Sequence, residues 1–241
     1  MLLKIVYTAV IFSFSIVNSL SVLQIKPYVG CIVSAGIKDY KLIASLPDEN
    51  IQLFGYGEIS PEKSNYESLL LKTNGKIIHL NWTNLNLPGF EPKLTVSDIN
   101  NDAIKELVII LIKSSGTELH EEEIHVLNLS TLNEIPIVDP LYIIKEKVNT
   151  SIVKKNSDKV IITVEVNNTK TEIIKDENYS PFWFPNIDFG NVIVWRVINN
   201  KLYADIGAQI TPASFVGTIT IEYKFKENMF NMKNINFIAN K

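Results

Sequence analysis

The chain has 241 residues, 46% of them hydrophobic and 20% charged, with a formal net charge of −3. That balance belongs to ordinary globular proteins and excludes a disordered chain. Arg196 is the sole arginine and the lysines are spread out, so the basic footprint that nucleic acid demands is missing, as is a polybasic patch for anionic lipid; the partners left are a protein or a surface glycan.

Lys4 is the only charge before Lys26, and Ile5 to Ile25 is dominated by Ile, Val, Leu, Phe and Ala. A positive start followed by an apolar run reads as a signal peptide over residues 1–21, cleaved after Ser19 to Ser21. The alternative keeps the segment as an anchor, because roughly 20 apolar residues span a bilayer core of about 30 Å. Membrane contact is expected only through this segment, and the predicted location is secreted or cell envelope. Tyr28-Val29-Gly30-Cys31 ends like a lipoprotein box, which leaves a lipid on Cys31 as a third route; otherwise Cys31 is a lone thiol behaving as a small hydrophobe. A single cysteine forms no disulfide within the chain, so the fold depends on its core or on an ion.

Residues 22–241 read as one β-rich domain, with a sub-boundary placed near 175–185, where Asp176-Glu177-Asn178 precedes Pro181 and Pro185. The predicted class is mainly β: antiparallel sheets, in a sandwich or an open sheet with a partial propeller-like repeat as the variant, and one or two short helices. β-branched and aromatic residues alternate with polar ones between Gly, Asn, Asp and Pro clusters. Strands are expected at Tyr40–Ser45 and Ile51–Tyr56. Ser68–Trp82 forms a hairpin about Asn74-Gly75, whose residues accept the positive φ of a type I′ turn. Lys93–Ser97, Leu107–Ile112 and Glu123–Leu129 follow. Asp139-Pro140 supplies an N-cap and a first-turn proline for a helix at Leu141–Val148. Ser151–Lys155, Lys159–Val166, Thr171–Lys175, Asn191–Val197, Leu202–Ile206 and Thr218–Phe225 complete the strands.

One constellation carries chemistry. Asp98, Asn100, Asp102 and Glu106 place oxygen side chains at positions one, three, five and nine of a nine-residue loop. Residues two apart in a tight loop converge, and Ca2+ takes six to eight oxygens at about 2.3–2.6 Å, some from backbone carbonyls such as that of Ile104. The spacing is not that of an EF-hand, whose twelfth-position Glu would fall on Ile109.

Leu94-Thr95-Val96-Ser97-Asp98-Ile99-Asn100-Asn101-Asp102, followed by Glu106-Leu107-Val108-Ile109-Ile110, resembles an FG-GAP or VCBS-type repeat, in the version found in uncharacterised secreted and envelope proteins of Gram-positive spore-forming bacteria. The resemblance implies a calcium loop between two strands, with Asp98, Asn100, Asp102, Ile104 and Glu106 around the ion. The family's glycine at the sixth position is Ala103 here, at a Cβ cost of roughly 1–2 kcal/mol if that site needs positive φ. The competing reading is an Asx-rich turn whose side chains bond their own backbone. One copy of the motif is present rather than an array.

Other arrangements carry less. In His120-Glu121-Glu122-Glu123-Ile124-His125 the second histidine comes one residue late for the zinc motif H-E-x-x-H, and strand periodicity puts the two rings on opposite faces. Glu58 with Glu62, or Asp176 with Glu177, have the form of paired glycosidase carboxylates, but any chain of this size offers such pairs, and the carboxylates of a hydrolase are not identified. Phe182-Trp183-Phe184 either stacks on a sugar ring or plugs a sheet edge. The sequence therefore predicts a secreted or envelope β module, binding or structural and without an identified catalytic residue. The alternatives are a cell-wall or polysaccharide hydrolase and an anchored stress or sporulation accessory.

Overall fold

The structure is a computed structural model that describes residues 40–57, 64–155 and 158–240. The predicted leader, Cys31, Glu58 and Glu62 lie outside those residues. In chain order the first strands are β1 (Lys41–Leu46), β2 (Ile51–Tyr56), β3 (Asn65–Tyr66), β4 (Ser68–Thr73), β5 (Lys76–Leu80), β6 (Asn84–Leu85) and β7 (Lys93–Ser97). Then come β8 (Glu106–Gly116), β9 (Leu119–Asn128), the helix α1 (Pro140–Lys147), β10 (Val148–Lys155), β11 (Lys159–Val166) and β12 (Thr169–Asp176). The last are β13 (Val192–Ile198), β14 (Lys201–Thr211), β15 (Ser214–Lys226) and β16 (Met229–Ala239).

Among the described residues these make a four-stranded sheet β1-β2-β4-β5, a seven-stranded sheet β16-β15-β14-β13-β9-β8-β7, a three-stranded sheet β10-β11-β12 and a short β3-β6 ladder. Among the described residues every pairing between these strands is antiparallel except that of β9 with β13, which touch in parallel at Val192–His120 and Ile193–Glu121; outside the strands Ile137 bridges Phe230 in parallel. The protein is thus mainly β, built of antiparallel sheets with one α-helix among the described residues.

The centre is β8. Its run Leu107-Val108-Ile109-Ile110-Leu111-Ile112 is buried throughout, the pattern of a strand covered on both faces rather than the alternation of a half-exposed one. Leu107, Ile109 and Leu111 pack with Ile51, Leu53, Leu69, Leu71 and Leu80 of the four-stranded sheet. Val108 and Ile110 enter the larger cluster on the other face, with Val160, Ile162 and Val164 of β11, Ile143 and Ile144 of α1, and Ile206, Ile219 and Ile221. At roughly 1.5–3 kcal/mol for each fully buried large aliphatic side chain, these two clusters dominate the stabilisation. The larger cluster draws side chains from both sides of 175–185.

β8 runs beyond its partner β7, whose last pair is Lys93–Ile110. The amide of Ile112 is met instead by Asn84, whose Oδ1 accepts it at 2.8 Å while Nδ2 donates to the Phe90 carbonyl at 2.8 Å. Gly55 of β2 lies under the ring of Tyr66, so closely that a Cβ there would stand 2.5 Å from Tyr66 Cδ1; β2 ends at Tyr56, and Gly57 follows it at φ 150°.

The predicted hairpin turn is present, with Asn74 at φ 48° and Gly75 at φ 75°. Asp139 caps α1, its Oδ1 accepting the Leu141 amide at 2.7 Å with Pro140 in the first turn. The helix starts one residue before its predicted bound and ends at Lys147, because Val148 already has extended backbone and pairs with Val166. β16 was not among the predicted strands. Its sequence Met229-Phe-Asn-Met-Lys-Asn-Ile-Asn-Phe-Ile-Ala is asparagine-rich, and a register shift at Glu222/Tyr223 breaks its alternation.

Candidate functional site

The Asp98 loop bridges β7 and β8, and its base is the pair Ser97–Glu106. Position two, Ile99, is buried among the larger cluster and roots the loop. The other ties are at its flanks. Ser97 Oγ donates to Asn200 Oδ1 at 2.7 Å, Lys105 Nζ reaches Glu49 Oε1 at 2.9 Å, and the Leu129 amide donates to the Lys105 carbonyl at 3.2 Å.

Within the loop the structure brings the predicted residues together. Asp98 accepts the amides of Asp102 at 3.2 Å and Ala103 at 3.1 Å. Asn100 Oδ1 accepts the Asp102 amide at 2.9 Å, and Asp102 Oδ1 accepts that of Ile104 at 2.8 Å. Glu106 Oε2 accepts the Ile99 amide at 3.0 Å. Asn100 Nδ2 donates to both Asp102 Oδ2 and Glu106 Oε1, each at 2.9 Å. The Asx-turn bonding foreseen as the competing reading is therefore present, and the chelate-like spacing is superimposed on it.

Two features set this loop apart from an ordinary turn. Ala103 has φ 70°, the left-handed conformation that costs a non-glycine residue roughly 1–2 kcal/mol. Glu106 is fully buried, and among the described residues none of Asp98, Asp102 and Glu106 has a lysine, arginine or histidine partner at ion-pair distance. Burial raises the Glu106 carboxyl above its ordinary 4.5, and the charges of Asp102 and Asp98 add to that, opposed by the amide of Ile99.

The donor chemistry fits a hard cation: oxygens only, three of them carboxylates, with the Ile104 carbonyl at the seventh position. The convergence is incomplete. Among the described residues no three His, Cys, Asp or Glu side chains stand close enough to share a metal ion, and Asn100 Nδ2, a partial positive charge, sits between the carboxylates of Asp102 and Glu106.

The remaining predicted residues are dispersed. His120 Nε2 lies 3.2 Å from Glu122 Oε1. Glu122 is itself buried, accepting the Trp195 amide at 2.6 Å and facing Lys93 Nζ at 2.7 Å. His125 is elsewhere, stacked on Trp82 and bonded to Glu134. Asp176 pairs with Lys159, Glu177 with Lys154, and both carboxylates line a shallow recess of about 280 Å3. The Phe182–Phe184 stretch divides: Trp183 packs against the larger cluster and donates Nε1 to the Glu177 carbonyl at 3.0 Å, while Phe182 is 70% exposed.

Sequence reasoning missed the buried Glu122 and the surroundings of His125. Neither has a local signal, since their partners come from other strands and loops. Among the described residues no helix is long and apolar enough to cross a membrane. No protein-family model, curated protein or solved structure matches the chain.

Proposed function

We propose that the protein is a non-catalytic β module of the cell exterior or envelope, that its Asp98–Glu106 loop takes up calcium as a structural ion, and that it binds a protein or a surface glycan. The observation that supports the calcium reading is Glu106: a fully buried carboxylate beside Asp98 and Asp102, with no basic partner among the described residues. Such a charge is costly to bury unpaired, and a divalent cation offsets that cost. Asp98, Asn100, Asp102 and Glu106 hold the ion with their side chains and Ile104 with its carbonyl. The ion supplies charge neutralisation and stiffens the β7–β8 connection. For the partner, the exposed rings of Phe182 and Tyr179 are the surface chemistry that sugar faces and apolar side chains use.

The test is thermal unfolding of the purified protein with EGTA and with calcium. Calcium raises the melting temperature of the wild type and leaves Asp98→Ala unmoved; a wild type indifferent to both reagents removes the ion from the account. The hydrolase reading gains no support from the paired carboxylates at Asp176 and Glu177, each of which faces a lysine.

A further inference from the structure

A second cluster of charged groups lies away from the Asp98 loop, at the junction of the two larger sheets. His125 is on β9, on the face of the seven-stranded sheet that also carries Leu127. The indole of Trp82, just past β5, stacks on its ring with centroids 3.5 Å apart and planes 10° from parallel. His125 Nδ1 lies 2.7 Å from Glu134 Oε1, and Glu134 belongs to the segment that follows β9 and bridges back to Leu127. On the ring's other side Nε2 has no hydrogen-bond partner, although the side chain is only 9% exposed, and it faces Glu123 Oε2 at 3.8 Å.

The charged groups around the ring come from three of its four neighbouring elements. β9 supplies Glu123, the following segment Glu134, and β8 Lys113, whose Nζ lies 2.9 Å from Glu123 Oε2. The loop after β5 presents Trp82 and Thr83, which carry no charge, and Lys113 also donates to Thr83 through its carbonyl, at 3.3 Å, and its hydroxyl. Two carboxylates thus flank one imidazole that has an aromatic face against it. Such a site favours the cation: both N–H groups face carboxylates, and an indole face attracts positive charge.

We propose that the His125 cluster is a proton-controlled rivet: the protonated ring ties the loop after β5 and the segment after β9 to the seven-stranded sheet, and loss of the proton loosens both. Burial by itself pushes an imidazole down, but Glu123 and Glu134 outweigh it and the net direction for His125 is up from 6.5. The neighbouring His125, and after it Lys113, hold the Glu123 carboxyl down to about 2 against its burial. For a histidine raised in the folded state, the added stability is fully present below 6.5 and is lost as pH rises through the folded value. The junction is therefore tightest in mild acid and loosens in base.

The experiment is an NMR titration of the full chain from about pH 5 to about pH 9 with amide hydrogen exchange, a range centred on histidine ionisation. His125 is assigned by elimination with His79→Gln and His120→Gln. The ring is expected to titrate above 6.5, and Glu134→Gln, at a half-exposed position that tolerates the change, is expected to lower that midpoint. Local opening of residues 81–83 and 129–134 rises by up to about tenfold per pH unit between the unfolded and folded values, beyond the base catalysis of control amides. His125→Phe keeps the stack and abolishes this excess. A His125 midpoint at or below the ordinary value, a midpoint unmoved by Glu134→Gln, or the same excess exchange in His125→Phe overturns the proposal. The titration is independent of calcium and is run in EGTA.

Discussion

Two residues of the loop hold positive φ with a Cβ, Asn101 at 62° and Ala103 at 70°; asparagine tolerates that conformation and alanine does not, so the strain falls on Ala103. Ala103→Gly relieves that strain. The gain is expected to be about 0.5–1 kcal/mol, net of the added freedom of the unfolded chain, and is read as an upward shift in melting temperature; a loss of stability would mean that the conformation costs alanine nothing. Glu106 provides a prediction of opposite character. Because its carboxyl is raised above 4.5, the neutral form is the better tolerated one in the fold. Without a cation, its contribution is present below 4.5 and is lost as pH rises through the folded value, the reverse of a salt-bridged carboxylate. Unfolding across that range in EGTA is expected to show a downward slope with pH that Glu106→Gln lacks and calcium suppresses. Identical slopes in wild type and variant contradict this reading of Glu106.

At the scale of elements, the last hairpin depends on a glycine. A Cβ on Gly217 would meet the Ile238 carbonyl oxygen and, at 2.5 Å, Phe237 Cε2, so the β15–β16 register is incompatible with any side chain there. Gly217→Ala is expected to cost more than about 2 kcal/mol in denaturant unfolding, as overpacking against backbone does; a cost below about 0.5 kcal/mol would show that the pair relaxes freely. This hairpin also marks the limit of what was legible. Asn74-Gly75, Asp139-Pro140 and the alternating runs announced their elements through local chemistry, and the hairpin, helix and most strands lie within a few residues of where they were read. β16 did not announce itself, because its asparagines and the bulge opposite Tyr223 hide an alternation that only pairing with β15 makes useful. The spacing of the Asp98 loop is plain in the sequence, whereas the positive φ at Ala103 entered there only as a condition and is supplied by the structure. The positions of Glu122 and His125 were not, since strands and loops distant in sequence decide what surrounds them.

At the scale of the whole molecule, β8 is the strand on which both clusters meet. Leu107, Ile109 and Leu111 face one, Val108 and Ile110 the other. The Asp98 loop enters β8 at Glu106, and the His125 cluster grips its far end through Lys113, so both charged sites act on the strand at which the two clusters meet. The calcium claim is tested most directly by the melting temperature of the purified protein in EGTA and in saturating calcium, beside Asp98→Ala. Calcium at about 100 times its Kd adds about 2.7 kcal/mol, a shift of roughly 5–10 °C for a chain this long. The account predicts that shift in the wild type and none in Asp98→Ala; equal melting temperatures for the wild type in the two conditions would contradict it.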